Sequence, residues 1–258
     1  MEETKKLKEL TQGKDWQLLE TILYNGNDFF LLEKHLQRLV NASIYFGWKV
    51  IDIKQVEEKL WNSVRQLGSS RIRLTIDQNG TIDIQISPFI SSGNLFGIFS
   101  KDHKKTDRPW RVYLDTIAMD DRLRPLFCHK TTYRDPYEAA RKRLKIDKEM
   151  EVLLYNQYGY VMEGSICNVA FFRNDQWITP SLKDGCLPGV MRETLLEKKY
   201  IVEHSIQIYD LKDGEGLLLF NSLRGCFQVW SRQCDLRARK ILFLFHLSGA
   251  SDFPMIHE

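Results

Sequence analysis

The chain has 258 residues, 43% of them hydrophobic, 12% aromatic and 28% charged, with a formal net charge of +3. That mixture excludes bulk disorder and suffices for one large hydrophobic core or two modest ones. So small a net charge gives nucleic acid no foothold, and the runs Lys5-Lys6, Lys104-Lys105 and Arg141-Lys142-Arg143 read as solvated faces.

In chain order, Met1 to Lys6 lacks the apolar core of a signal peptide. Apolar residues at 18–23 and 29–32 flank Asn25-Gly26-Asn27 and predict a β-hairpin. Leu32, Leu36, Leu39, Val40 and Ile44 recur at helical spacing over 33–46, and Val56, Leu60 and Val64 share a helix face over 54–67. Period-two alternation over 71–76 and 81–86, around Asp77-Gln78-Asn79-Gly80, predicts a second hairpin. Periodicity lapses from Pro88 to Arg108, where the sequence turns rich in Ser, Gly, Lys and Asp. An interdomain connection is expected there, dividing a small α+β unit (1–95) from a larger α/β one (96–258). Strands are then expected near 111–114, 151–155, 166–172 and 216–220, and helices near 135–144 and 190–199. The apolar run from Ile241 to Leu247 is too short to span a bilayer and reads as a buried strand or docked tail.

Five cysteines (128, 167, 186, 226, 234), odd in number and without a Cys-x-x-Cys pair, point away from a disulfide framework and toward a reducing cytoplasm. No phosphate loop, nucleophile elbow or paired metal ligands occur. Taken singly, Lys130 reads as a surface lysine, Glu163 as a turn acid at a strand edge, and His35 and His129 as core histidines with satisfied ring nitrogens. The run Gly185-Cys186-Leu187-Pro188-Gly189-Val190-Met191-Arg192 feeds a turn directly into a helix. Free amides at such a helix start suit an anion such as phosphate, though an ordinary Pro-Gly turn has the same pattern.

Six segments change the picture by their order. They are Glu33 to Leu39, His129-Lys130-Thr131-Thr132-Tyr133-Arg134, Glu163 with Asn168, Thr179-Pro180, Leu187 to Arg192, and Asn221-Ser222. From about Asp15 to Gly225 the chain thereby resembles the class IV aminotransferases. The sub-pattern Lys-Thr-Thr-x-Arg-x-x-Tyr (Lys130 to Tyr137), with Asn221 to Gly225, is most similar to the aminodeoxychorismate lyase branch, notably the lyase-like half fused to aminodeoxychorismate synthase component I.

The resemblance implies the α+β, two-domain D-amino-acid/branched-chain aminotransferase-like fold (fold type IV), with pyridoxal phosphate in the interdomain cleft. It implies that Lys130 holds the cofactor covalently and shuttles protons, and that Glu163 keeps the pyridine nitrogen protonated. Arg38, the amides of Val190 and Met191 and the Ser222 hydroxyl would take the phosphate, and Asn168 would steady the acidic loop. Thr21 and Asn221 match lyase positions where transaminases tend to carry glycine or another small residue. They favour release of 4-aminobenzoate and pyruvate over transamination of a branched-chain or D-amino acid. Arg134 and Arg224 are candidates for two substrate carboxylates, with surface arginine as the plain alternative. Many relatives carry arginine two positions after the threonine, where this chain has Leu23. A homodimer, a possible association with aminodeoxychorismate synthase, and no nucleic-acid or membrane partner are implied as well. A non-catalytic subunit that keeps the fold to bind a synthase is the alternative from another class.

Overall fold

The structure, a computed structural model, describes residues 2–90, 95–99, 110–212, 215–230 and 234–235. It opens with a helix the sequence did not announce, α1 (Glu2–Leu10), which buries Leu7 in the same apolar cluster as Leu18 and Ile22. Only Leu7 and Leu10 are apolar in this stretch, too few to display a period.

β1 (Leu18–Tyr24) does not form the expected hairpin with 29–32. Asn25 Oδ1 accepts the amides of Asn27 and Asp28 (both 2.8 Å) and makes the turn, but the return is a single Tyr24–Phe29 bridge. Leu31 then takes a left-handed φ of 56° and starts α2 (Leu32–Tyr45), which removes the residues a second strand would need. After α3 (Ile53–Ser63), β1 pairs instead with β2 (Ser70–Ile76), Leu18 opposite Ile76 and Tyr24 opposite Ser70. β2 pairs with β3 (Ile82–Pro88) as the alternation predicts. α3 starts at Asp52, whose side chain caps the Gln55 amide. It stops short of 67, where Gln66 adopts φ 66°.

Two further sheets follow. β4 (Arg111–Leu114), α4 (Arg124–Cys128), α5 (Asp135–Arg143), β5 (Met150–Tyr155) and β6 (Val161–Gly164) come first. β7 (Asn168–Arg173), β8 (Gln176–Thr179), α6 (Val190–Glu197), β9 (Val202–Glu203), β10 (Gly216–Asn221), β11 (Gly225–Trp230) and β12 (Cys234–Asp235) follow among the described residues. One sheet has the order β12-β4-β5-β6 and the other β11-β10-β7-β8-β9. Sheets of mixed direction beside an antiparallel three-stranded one, with helices between, make the chain α+β, as expected. The expected strand at 166–172 loses Ile166 and Cys167, because Glu151 holds the preceding loop through the amides of Ser165 (2.8 Å) and Ile166 (3.2 Å). Gly164 has to be glycine here: a Cβ would lie 2.8 Å from the Glu151 carboxyl carbon. Most of the expected connection at 88–108, and the run Ile241 to Leu247, lie outside the described residues.

One apolar cluster joins Leu18, Ile22, Leu36 and Leu39 to Leu126, Phe127, Val152 and Met162, and a second fills the space between the two later sheets. Each fully buried Leu or Ile stabilises by about 1.5–3 kcal/mol. The first cluster fixes β1 against the segment after α4. There the Leu19 amide donates to Lys130 O (2.9 Å), the Thr132 amide to Gln17 O (2.8 Å) and the Gln17 amide to Thr132 Oγ1 (2.9 Å). Lys130 is thereby held on a short extended segment alongside the start of β1.

Candidate active site

All eleven residues singled out from the sequence line one cavity of about 300 Å³: Thr21, Arg38, Lys130, Arg134, Glu163, Asn168, Val190, Met191, Asn221, Ser222 and Arg224. Lys130 is half-buried on its wall. Among the described residues its amine has no hydrogen bond or ion pair. Burial draws the amine down to about 8, reinforced by Arg38 and Arg134 and opposed by Glu20 and Glu163. The surface reading of this lysine gives way to a half-buried place on the cavity wall.

Glu163 comes from buried β6. Its Oε1 accepts the Tyr137 hydroxyl (2.9 Å), and its Oε2 accepts Asn168 Nδ2 and the Leu187 amide (both 3.2 Å). Burial pushes the carboxyl up to about 7 against these donors and against Lys130 and Arg134. Asn168 also donates to Leu187 O (3.0 Å), so it ties Glu163 to the turn before α6. That contact requires Gly189: a Cβ there would stand 2.0 Å from Asn168 Oδ1. Gly189→Ala should therefore displace Asn168 and the turn. Turnover should fall about 100-fold, the scale of roughly 1 Å of misplacement, with the melting temperature little changed. Steady-state rates beside a thermal melt check this; unchanged rates would mean the turn absorbs the methyl group.

Arg38 is committed mainly to protein. Its Nε and Nη2 donate to Glu20 Oε1 (2.8 Å) and Oε2 (2.6 Å), and its Nη1 to Pro188 O (3.1 Å). Two N–H groups remain for an anion. Glu20 is fully buried and His35 Nδ1 lies 2.6 Å from its Oε2. Burial alone would raise the Glu20 carboxyl, but Arg38 and His35 hold it at about 2. Burial draws the His35 imidazole downward, Arg38 and Lys130 add to this, and Glu20 opposes it. The core reading of His35 needs one correction: its Nε2 is buried without a hydrogen-bond partner among the described residues. His129 is half-buried, stacked on Tyr45 with ring centroids 4.2 Å apart, its Nδ1 2.8 Å from Pro125 O.

Val190 and Met191 open α6, where first-turn amides have no preceding carbonyl in the helix to bond. Asn221 lines the cavity, but its side chain has protein partners. Nδ2 reaches Ile166 O (3.2 Å) and Cys167 Sγ (3.3 Å), and Oδ1 accepts the Leu223 and Arg224 amides (3.1 and 2.8 Å). In this geometry it braces the turn that carries Ser222 and Arg224. Arg134 donates to Ser165 O (2.5 Å) and lies over the Tyr137 ring. It is not a free surface group.

Three neighbours of the site escaped the sequence, Glu20, Arg71 and Arg73, and Tyr137 entered only as the last residue of the Lys130 to Tyr137 pattern. Arg73 stands opposite Thr21 and Arg71 opposite Leu23 in the β1–β2 register, and both line the cavity. Burial draws Arg73 downward, and Arg71 and Arg134 add to it. Leu23, where many relatives carry arginine, therefore has an arginine as its cross-strand neighbour.

One cavity thus gathers an unpaired amine of lowered basicity, a buried carboxyl, the first residues of a helix and a set of arginines. Residues 17–231 match the model of amino-transferase class IV, and the chain belongs to this family, which depends on pyridoxal phosphate. A provisionally named aminodeoxychorismate lyase of Schizosaccharomyces pombe is 37% identical over 212 residues, covering 80% of this chain and 86% of its own. The aminodeoxychorismate lyase of Saccharomyces cerevisiae is 38% identical over 251 residues, 78% of this chain and 67% of its own. A solved structure of a provisionally named amino-acid aminotransferase from Mesorhizobium loti matches with a TM-score of 0.71 at 30% identity, covering 86% of this chain and 100% of its own.

Proposed function

We propose that the chain is a pyridoxal-phosphate-dependent aminodeoxychorismate lyase, which splits 4-amino-4-deoxychorismate into 4-aminobenzoate and pyruvate. The observation that carries this is the set Arg71, Arg73, Arg134 and Arg224 around a cavity that also holds Lys130. Four guanidinium groups suit a substrate with two carboxylates, whereas a branched-chain amino acid offers one carboxylate and an apolar arm. The identity with two relatives named as lyases supports the same choice.

The cavity wall fits the cofactor. Lys130 presents an unpaired amine, Glu163 Oε1 has room for one more donor, and the Thr131 hydroxyl is buried without a partner among the described residues. Arg38, the amides of Val190 and Met191, and Ser222 would hold the phosphate. When bound, pyridoxal phosphate supplies an electron sink for the pair left as a proton leaves the amine-bearing carbon. Lys130 Nζ takes that proton and returns it to the methylene carbon of the departing enolpyruvyl arm, completing pyruvate. Glu163 holds a proton at the ring nitrogen. Arg73, Arg134 and Arg224 bind the carboxylates, Thr21 orients the substrate ring, and Asn221 keeps Ser222 and Arg224 in place. One C–H and one C–O bond break, one C–H bond forms, and the ring becomes aromatic, so no second substrate enters.

We take residues 1–95 as the smaller unit and 96–258 as the larger, since Leu19, Thr21, Arg38, Arg71 and Arg73 reach the cavity from the first and the remaining groups from the second. The family resemblance supports a cytoplasmic homodimer that can associate with an aminodeoxychorismate synthase. A transaminase is the second reading, favoured by the likeness to the Mesorhizobium loti protein.

Incubation with aminodeoxychorismate alone should give 4-aminobenzoate and pyruvate in equal amounts without a keto acid. Arg73→Ala should raise KM about 10–100-fold, the worth of one charge-assisted hydrogen bond, with a smaller change in kcat. Faster conversion of amino acids to keto acids than of aminodeoxychorismate to 4-aminobenzoate would sink the lyase in favour of the transaminase.

A further inference from the structure

Tyr137 has no part in the proton transfers, yet its hydroxyl donates directly to Glu163, the acid that would hold the cofactor's ring nitrogen. Tyr137 sits on α5 with 7% of its surface exposed, and its O–H reaches Glu163 Oε1 at 2.9 Å. The Arg134 guanidinium lies 4.6 Å from the centre of its ring, and Phe127 meets it edge-on at 5.7 Å, so the phenol is clamped from two sides. Glu163 Oε2 is already taken by Asn168 and the Leu187 amide, which leaves the remaining acceptor capacity on the oxygen that Tyr137 orients.

We propose that Tyr137 is a positioning residue for the cofactor's ring nitrogen: its hydroxyl fixes Glu163 Oε1 and keeps that carboxylate the weaker base, so that the proton between carboxylate and ring stays on nitrogen. The proposal rests on the pyridoxal phosphate reading, and deepens it. The groups facing Glu163 are Tyr137 from α5, Lys130 and Arg134 from the segment between α4 and α5, Cys128 from α4 and Cys186 from the turn before α6. Burial lifts the Glu163 carboxyl to about 7, and the Tyr137 hydroxyl is the largest force opposing that rise. Tyr137 itself is pushed well above its usual range by burial and by Glu163, so it remains a donor at any working pH. Without this donor the carboxylate becomes more basic, the shared proton moves from nitrogen toward Glu163, and the ring accepts electrons less well.

The test uses Tyr137→Phe, which deletes one oxygen, loaded with pyridoxal phosphate labelled with 15N in the ring. At neutral pH the ring-nitrogen resonance should move from the protonated position toward that of a free pyridine. Cofactor affinity should weaken about 3–10-fold and kcat fall about 10–100-fold, with KM within about threefold of wild type. A resonance unchanged from wild type overturns the proposal whatever happens to activity, because a packing role would not change protonation at nitrogen. Should the variant not fold, wild-type apoprotein labelled at tyrosine 13Cζ takes its place. One tyrosine signal should follow the titration of Glu163 near 7, and that step should vanish in Glu163→Gln. Tyrosine signals that all ignore Glu163 overturn the proposal. Wild-type protein that takes up no pyridoxal phosphate overturns the cofactor reading and this proposal together. Because the nitrogen signal is read without turnover, it decides the role of Tyr137 even where no 4-aminobenzoate forms.

Discussion

Lys130→Ala is expected to lower turnover by about 10⁴-fold, the upper end of what a positioned acid–base group contributes. The reason is local electrostatics. With its amine drawn to about 8 by burial, Arg38 and Arg134, about a quarter of the Lys130 amines are neutral near pH 7.5, against roughly one in a thousand for an ordinary lysine. Among the described residues nothing else in the cavity offers an unpaired amine. Uptake of cofactor by the apoprotein should accelerate as pH rises through about 8, since only the neutral amine attacks an aldehyde. Borohydride should fix the cofactor of the wild type to the peptide containing His129-Lys130-Thr131, read by mass spectrometry. Attachment at a different lysine would end this assignment of the site.

The second large effect falls on stability. Arg38→Met strips Glu20 of two of its hydrogen bonds and leaves a fully buried carboxylate with His35 alone. Breaking a buried ion pair from one side costs about 3–5 kcal/mol, which for a chain of this size lowers the melting temperature by roughly 6–20 °C. The sign with pH follows from the Glu20 carboxyl. Its value falls from 4.5 to about 2 on folding, so its contribution, on the order of 3 kcal/mol, is complete above about pH 4.5 and is lost as pH falls toward 2. The gap between wild type and Arg38→Met should accordingly narrow in acid. Glu20→Gln combined with Arg38→Met should recover much of the loss, because the orphaned charge is gone. Urea melts at pH 7 and pH 3.5 read both effects. A cost under about 1 kcal/mol at pH 7, or a gap that widens in acid, would refute the buried-pair account. Because Arg38 Nη1 also holds Pro188 O, the same variant should loosen the turn ahead of α6 and weaken cofactor binding.

Much of the site was written in local sequence. His129-Lys130-Thr131-Thr132, Glu163 with Asn168, and the Pro-Gly turn into Val190 and Met191 are short segments, plain when taken singly, whose order along the chain carries the family resemblance that assigns their roles. They converge on one cavity. The helical period of Leu32, Leu36 and Leu39 and the alternation over 71–76 and 81–86 likewise gave α2, β2 and β3, since one repeat selects one backbone geometry. The strand at 29–32 failed because apolar character does not reveal that Leu31 turns left-handed and starts a helix.

What tertiary structure alone decided is which strand lies beside which. Alternation on β2 puts Arg71 and Arg73 on one face, but a face can point to solvent or to a substrate. Only pairing with β1, Arg73 opposite Thr21 and Arg71 opposite Leu23, turns them into the cavity. Glu20 gains its partners only because α2 packs against β1. His35 and Arg38, one helical turn apart on the same face, were the available signal. Asn221 shows the converse case: its position suggested contact with substrate, and folding committed its amide to Ile166, Cys167 and the amides of the turn after it. Spacing along the chain records what neighbours a few residues away can do. The partners of a buried charge or a strand face are set by long-range packing, whose energy belongs to residues far apart in sequence and leaves no local period to read.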